Sequence, residues 1–306
     1  MSGFDKPCIL TNSISGVVAN KDQHPAIPYT PEEYAAEARR AVDAGAAMIH
    51  IHARKPDGTP SFEIEDYRNI TAAIKAEIPD VIINFSTGAV GLSVEKRLKY
   101  LEAIRPDVAA LNMGSMNYAK YSKRRKEFIF GFVFENSFDT IIQFLTAMNE
   151  YGIRPEHECF ELGHLASLEP LIDMGILEAP LQISLVHGVL GGTPARAANL
   201  KHMASQVPQP DGQGGITHGG DGINNWGLVG VSREQWDLVP VAIEQGGNVR
   251  VGLEDNFYLP DGEMAKGNGE LCEEAARQIE AAGRKIATIA EARELLGVPR
   301  MAVANA

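Results

Sequence analysis

The sequence predicts an α/β protein of the (β/α)8 TIM-barrel class, and three observations carry the prediction. Eight short runs rich in Ile, Val and Leu alternate with amphipathic helix-like stretches, as buried parallel strands and their crossover helices do. The polar residues that can do chemistry gather at the C-terminal ends of those runs, where barrels build their sites. The length, 306 residues, suits one such barrel and exceeds an ordinary open-sheet domain. A doubly wound sheet shares the alternation and is the alternative architecture.

In order, strands are expected at 8–15, 47–53, 81–86, 108–113, 157–161, 181–187, 224–229 and 248–253. The first helix opens at Thr30-Pro31-Glu32-Glu33: a hydroxyl cap, a proline where no N–H is needed, then acids facing the helix dipole. Gly45 suits its end. Further helices are expected near 63–77, 93–104, 137–151, 166–174, 194–206, 232–245 and 263–282, with a short one at 291–296. The whole chain, 1–306, reads as one barrel domain with a C-terminal extension from about 284. Two connections are long. Residues 118–130 follow the fourth strand, hence lie on the catalytic face, and carry Lys120, Lys123, Arg124, Arg125 and Lys126. The Gly- and Pro-rich stretch 208–222 joins a helix to a strand, hence lies on the opposite face, and reads as a flexible connection or an oligomer contact.

Composition narrows the function classes. Twenty-eight Lys and Arg stand against 40 Asp and Glu, a net charge of -12, which disfavours nucleic acid or an anionic membrane as a partner. No apolar run approaches the length of a bilayer span, and M-S-G-F-D-K-P has no signal-peptide pattern. Cys8, Cys159 and Cys272 are odd in number and widely spaced, so no disulfide framework or Cys-based metal site is expected, and a reducing cytoplasmic setting is.

The sharpest constellation is His50-Ile51-His52. Alternation places both imidazoles on one strand face, where they can grip a metal ion or be hydrogen-bonded core histidines. A third ligand is usual for zinc. Glu254 at the end of the last strand can reach the pair, because strand eight of a closed barrel neighbours strand one. Arg250, Gly252 and Glu254 share a face by the same alternation, and E-D-N is also ordinary turn chemistry. His164 and His187 are weaker ligand candidates. Ser86-Thr87-Gly88-Ala89 offers hydroxyls and backbone N–H groups to an oxyanion, or is a plain strand-to-helix turn. Asn112 closes another polar strand end. Glu158 falls in the middle of its expected strand, where a buried carboxylate needs a partner.

Together, these segments resemble the β-keto acid cleavage enzyme family. The similarity runs in order through Thr30 to Glu33, His50-Ile51-His52, Ser86-Thr87-Gly88, Leu111 to Ser115, Gly188 to Gly192, Arg250 to Asn256 and Glu291-Ala292-Arg293. The resemblance implies a zinc-dependent barrel, usually a homotetramer, that moves coenzyme A from acetyl-CoA onto the acyl half of a β-keto acid and releases acetoacetate. It implies zinc ligands at His50, His52 and Glu254, catalytic roles for Ser86, Arg250 and Asp255, and a further acidic site residue at Glu158. Two substrate contacts differ: Val18 stands where a family Glu meets a substrate ammonium, and Ala110 where a Thr contact is found. The second loop glycine is Ala89 here. Val18 cannot pair with an ammonium, so 3-keto-5-aminohexanoate is not the expected substrate. For the anionic CoA, Lys123 and Arg124 of the basic run and Arg233 after the seventh strand are equal candidates. Two rivals are a zinc hydrolase of the amidohydrolase type, which places its H-x-H on the first strand, and a non-catalytic acyl-CoA- or metal-binding barrel.

Overall fold

A computed structural model describes residues 3–299; the extension's last residues, 300–306, lie outside it. The chain runs through β1 (Leu10–Ser13), α1 (Pro31–Asp43), β2 (Met48–Ile51), α2 (Ile64–Glu77), β3 (Ile82–Ser86), α3 (Val94–Ile104) and β4 (Val108–Asn112). It continues through β5 (Met116–Ser122), β6 (Glu127–Phe134), α4 (Phe138–Tyr151), β7 (Arg154–Cys159), α5 (Leu162–Ala166), α6 (Leu168–Asp173) and β8 (Gln182–His187). The last third holds α7 (Ala197–Ser205), β9 (Pro208–Pro210), β10 (Ile216–His218), β11 (Asn225–Gly230), α8 (Gln235–Glu244), β12 (Asn248–Val251), α9 (Asn268–Ala281) and α10 (Ile289–Leu296). Eight strands close a barrel in the order β1-β12-β11-β8-β7-β4-β3-β2, so the doubly wound alternative is set aside.

Alternation along the strands sorts side chains into two environments. Ile49, Ile51, Phe85, Leu111, Ile183, Leu185, Leu228 and Val251 join the large core between barrel and helices. The other set faces the barrel interior, where Asn84 of β3 and Ser184 of β8 both donate hydrogen bonds to Glu156 of β7. The bottom of the interior is apolar: Met48, Ile82 and Val108 pack with Ala292, Leu296 and Val298 of the C-terminal extension. Burial of Leu296 alone contributes about 2 kcal/mol. Arg293 of α10 reaches Asp107 at 2.9 Å. The extension thus plugs the end opposite the strand C-termini.

Caps fix the helix starts. Thr30 and Glu33 form the reciprocal capping box expected from the sequence, and Thr288 with Glu291 forms a second.

Several expectations need correction. The fifth barrel strand begins at Arg154, not 157, because Arg154-Pro155-Glu156 lacks an apolar signal although Glu156 is buried and satisfied. This shift carries Glu158 from the middle of the strand to its C-terminal end. The stretch at 166–174 is two short helices, and the helix expected from 263 starts at Asn268. The connection expected at 118–130 is part of an antiparallel hairpin, β5–β6, standing over the catalytic face. The stretch 208–222 holds a second hairpin, β9–β10; Asp211 accepts the N–H groups of Gln213 and Gly215 at its turn. Among the described residues no helix is long and apolar enough to cross a membrane.

Candidate active site

The mouth of the barrel collects His50, His52 and Glu254. One ligand atom from each lies within 4.8 Å of the others. His50 Nε2 is 3.7 Å from Glu254 Oε2, and His52 Nε2 is 3.3 Å from Oε1. The rings meet edge to face with centroids 5.2 Å apart. Burial, then the Arg250 charge, hold the His50 imidazole well below its usual pKa, so it is neutral and able to ligate. Burial opposes charge on Glu254, but Arg250 and the two imidazoles outweigh it and keep the carboxyl well below its usual range.

Strand alternation does not explain how Glu254 arrives. β12 ends at Val251, and a tight turn over Gly252 to Asp255 swings both acids inward, with the Asp255 N–H donating to Gly252 O at 3.0 Å. A Cβ at Gly252 would lie 2.1 Å from Ser13 O, so the turn can pass β1 only as glycine. Glu254 and Asp255, which alternation puts on opposite faces, therefore share one site.

Arg250 ties this site together. Its Nε and Nη2 donate to the two Asp255 oxygens at 2.9 and 3.0 Å, its Nη2 to Glu254 at 2.8 Å, and its Nη1 to Glu158 at 3.4 Å. Ser13, which carries no local sequence signal of a role, donates to Asp255 Oδ2 at 2.5 Å. Its inward position follows from the alternation of β1. Burial and Glu254 raise the Asp255 carboxyl against the pull of Arg250. Burial is also the largest influence on Glu158, and together with Glu156, Glu254 and Asp255 it pushes that carboxyl up to about 8 despite Arg250. One guanidinium thus faces three carboxyls in a buried space. A divalent cation at the triad fits this donor set: it would meet the acidic surplus and occupy Glu254 Oε2, a buried oxygen with no hydrogen-bond partner.

The scaffold behind His52 is also built. Its carbonyl accepts from Tyr34 Oη at 2.6 Å and from Ser15 Oγ at 3.2 Å. Arg54 donates to the carbonyls of Ser15, Gly16 and Ala19, fixing the loop that carries Val18. A charged residue two positions past the second His was the one sequence signal for this brace.

The other expected residues divide. Ser86 and Asn112 end β3 and β4, and Ala110 pairs in register with both Ser86 and Glu156. The Gly88 N–H donates to Ser86 Oγ at 3.2 Å. It is therefore not the open oxyanion donor expected; the Ser86 hydroxyl proton is the one left to donate. Thr87 is fully buried and donates to Ala110 O at 2.6 Å, so it staples β3 to β4 rather than lining the mouth. Ala89 follows at the rim, partly buried. Val18 is exposed on the loop beside Glu254. Lys123 and Arg124 are exposed at the hairpin tip, away from the triad. Arg233 lies just past β11 with its guanidinium 3.7 Å over the Tyr258 ring. His187 faces outward with Ile183 and Leu185, and His164 Nδ1 accepts the Phe160 N–H; neither joins the metal-ligating group among the described residues.

A closed parallel barrel that fills its mouth with a ligating triad and an acid–guanidinium cluster, rather than with apolar packing, is a catalytic (β/α)8 barrel. A family model described as beta-keto acid cleavage enzyme matches residues 7–298, and the chain belongs to that family. It is 36% identical over 293 residues to a 3-keto-5-aminohexanoate cleavage enzyme of Fusobacterium nucleatum subsp. nucleatum, covering 95% of this chain and 98% of that protein. It is 34% identical over 312 residues to a 3,5-dioxohexanoate:acetyl-CoA acetone transferase of Paraburkholderia graminis, covering 97% of each. The apo structure of ObcA matches with a TM-score of 0.69 at 20% identity, over 90% of this chain and 66% of that one, a likeness of fold.

Proposed function

We propose that this enzyme converts a β-keto acid and acetyl-CoA into acetoacetate and a new acyl-CoA, with zinc held by His50, His52 and Glu254. The observation that carries it is Asp255, doubly bonded to Arg250 and held by Ser13, next to the ligating triad. Zinc bound there supplies Lewis acidity that makes the substrate's C2 proton more acidic.

The chain's own groups do the rest. Asp255, raised by burial, is the base that takes the C2 proton. Arg250 stays protonated and orients that carboxylate. The C2 carbanion attacks the acetyl-CoA carbonyl and CoA thiolate leaves. The thiolate adds to the C3 ketone, the C2–C3 bond breaks to give acyl-CoA and the acetoacetate carbanion, and protonated Asp255 returns its proton to C2 to complete acetoacetate. The free proton of Ser86 Oγ is placed for the oxyanions formed on addition, where one donor contributes about 3 kcal/mol. Asn112 and Glu158 line the same mouth from β4 and β7. The two cited relatives are named for keto acids with different tails, which supports tail recognition as the variable part.

Val18 marks the substrate difference. Val18→Glu should raise kcat/KM for 3-keto-5-aminohexanoate relative to an aliphatic keto acid by roughly tenfold, the order of one charge-assisted hydrogen bond. An unchanged ranking in the acetoacetate-release assay removes Val18 from recognition. For CoA, the exposed Arg233 and the hairpin-tip Lys123 and Arg124 are proposed phosphate contacts. Arg233→Glu, and separately the paired change Lys123→Glu with Arg124→Glu, should raise the KM for acetyl-CoA about tenfold with kcat little changed. Wild-type KM values at both places overturn this assignment.

A homotetramer in the cytoplasm completes the proposal. The hairpin leaves Phe128, Ile129 and Val133 exposed, which supports contact with further copies of the chain. Three buried free thiols, at Cys8, Cys159 and Cys272, support a reducing compartment.

A further inference from the structure

The inner wall of the mouth has two chemically distinct arcs. The arc from β12 through β1, β2, β3 and β4 to β7 carries Arg250, Ser13, His50, Ser86, Asn112 and Glu158. The remaining arc, on β8 and β11, carries Val186 and Val229, which form one buried apolar cluster with Met116, Phe160 and Val189. Tyr118, Phe134 and Val231 pack on that cluster from above. The cluster is continuous with the site, because Val229 pairs in register with Arg250.

Tyr118 is the polar exception in this wall. It lies on β5, opposite Phe132 in the hairpin register. Its ring stacks on Phe132 at 5.4 Å and meets Phe134 edge-on at 5.9 Å, so the ring is fixed by its neighbours. Its hydroxyl makes no hydrogen bond within the described residues. Burial, and then the charges of Glu254, Asp255 and Glu158, push the phenol up to about 12; it stays a neutral donor.

We propose that this apolar arc, roofed by Tyr118, receives the tail of the β-keto acid, and that the Tyr118 hydroxyl donates a hydrogen bond to it. The arc selects an uncharged tail bearing one acceptor oxygen, a carbonyl or a hydroxyl. A charged tail would lose its hydration against Val186, Val229 and Phe160, a cluster that includes no charged side chain. A purely aliphatic tail would fit but leave the phenol unpaired. Tyr118 is thus a specificity residue, and its role rests on the keto acid cleavage proposed above.

The test uses the zinc-loaded enzyme with four keto acids of equal length: 3-oxohexanoate, 3,5-dioxohexanoate, 3-oxoadipate and 3-keto-5-aminohexanoate. Acetoacetate release is followed with acetyl-CoA in excess. The wild type should prefer the dioxo acid. Tyr118→Phe should cut kcat/KM for the dioxo acid about tenfold and leave 3-oxohexanoate within about twofold, the effect of one lost hydrogen bond. Val231→Asp, at the partly buried rim, should shift preference toward the ammonium-bearing acid. If the enzyme turns over the panel but Tyr118→Phe lowers all four rates equally, or changes none, the proposal fails while the cleavage reaction stands. An unshifted ranking in a folded, metal-loaded Val231→Asp overturns the wall assignment. If the wild type releases acetoacetate from none of the four, the cleavage reading falls and takes this inference with it.

Discussion

His50→Ala is expected to lose both the proposed cation and the activity. His50 is almost fully buried, neutral, and one of three groups whose ligand atoms converge within 4.8 Å. Two remaining ligands leave the cation exchangeable and the acidic surplus around Arg250 uncompensated. Because Lewis-acid assistance supplies several kcal/mol of transition-state stabilisation, turnover should fall by about a thousandfold or more. Elemental analysis of the dialysed protein gives the first readout and acetoacetate release the second. Chelator should bring the wild type down to the variant's rate, and added zinc should restore the wild type alone. The same zinc should raise the wild type's thermal midpoint, since a ligand at a hundred times its dissociation constant adds about 2.7 kcal/mol of stability. A folded His50→Ala protein with a full complement of cation would dismantle the triad.

Asp255→Asn separates metal binding from chemistry. The amide keeps the size of the carboxylate and one acceptor for Arg250, while Glu254 is untouched. The cation content should therefore match the wild type. Loss of the proposed base should lower kcat by about a hundred- to ten-thousandfold, with the KM for the keto acid changed far less. Exchange of the C2 proton with deuterated water in the absence of acetyl-CoA isolates the first step: the wild type exchanges and the variant does not. A variant that exchanges at the wild-type rate assigns the proton transfer to another group, and Asp255 to charge placement alone.

Much of the architecture is legible in the sequence for a definite reason. Most barrel strands are covered by helices outside, so most of their outward residues read as apolar whatever the neighbour. The H-x-H spacing places two imidazoles on one face of β2 with no tertiary information. The start of the fifth strand is hidden in the sequence because Glu156 breaks the apolar signal. Only its partners on β3 and β8, Asn84 and Ser184, make a buried carboxylate tolerable. The loop 87–89 offered backbone donors on local grounds, yet the Gly88 N–H is taken by Ser86 two residues earlier. The position of the basic run after the fourth strand puts it on the catalytic face, but pairing of β5 with β6 carries Lys123 and Arg124 to an exposed tip and packs Tyr118 on the apolar cluster of the mouth.

By itself the sequence determined the strand–helix rhythm, the capped helix starts and the histidine pair, because these are local matters of periodicity and of groups a few residues apart. Tertiary structure alone decided that Glu254 and Asp255 face the same space. That outcome depends on Gly252 passing against the Ser13 carbonyl, a contact between the first and last barrel strands. It also decided that Ser13 and Arg250 hold Asp255 from two sides, and that the β8–β11 arc of the mouth is apolar. Close approach between distant segments leaves no periodic trace in the chain; it becomes visible only when the barrel is closed.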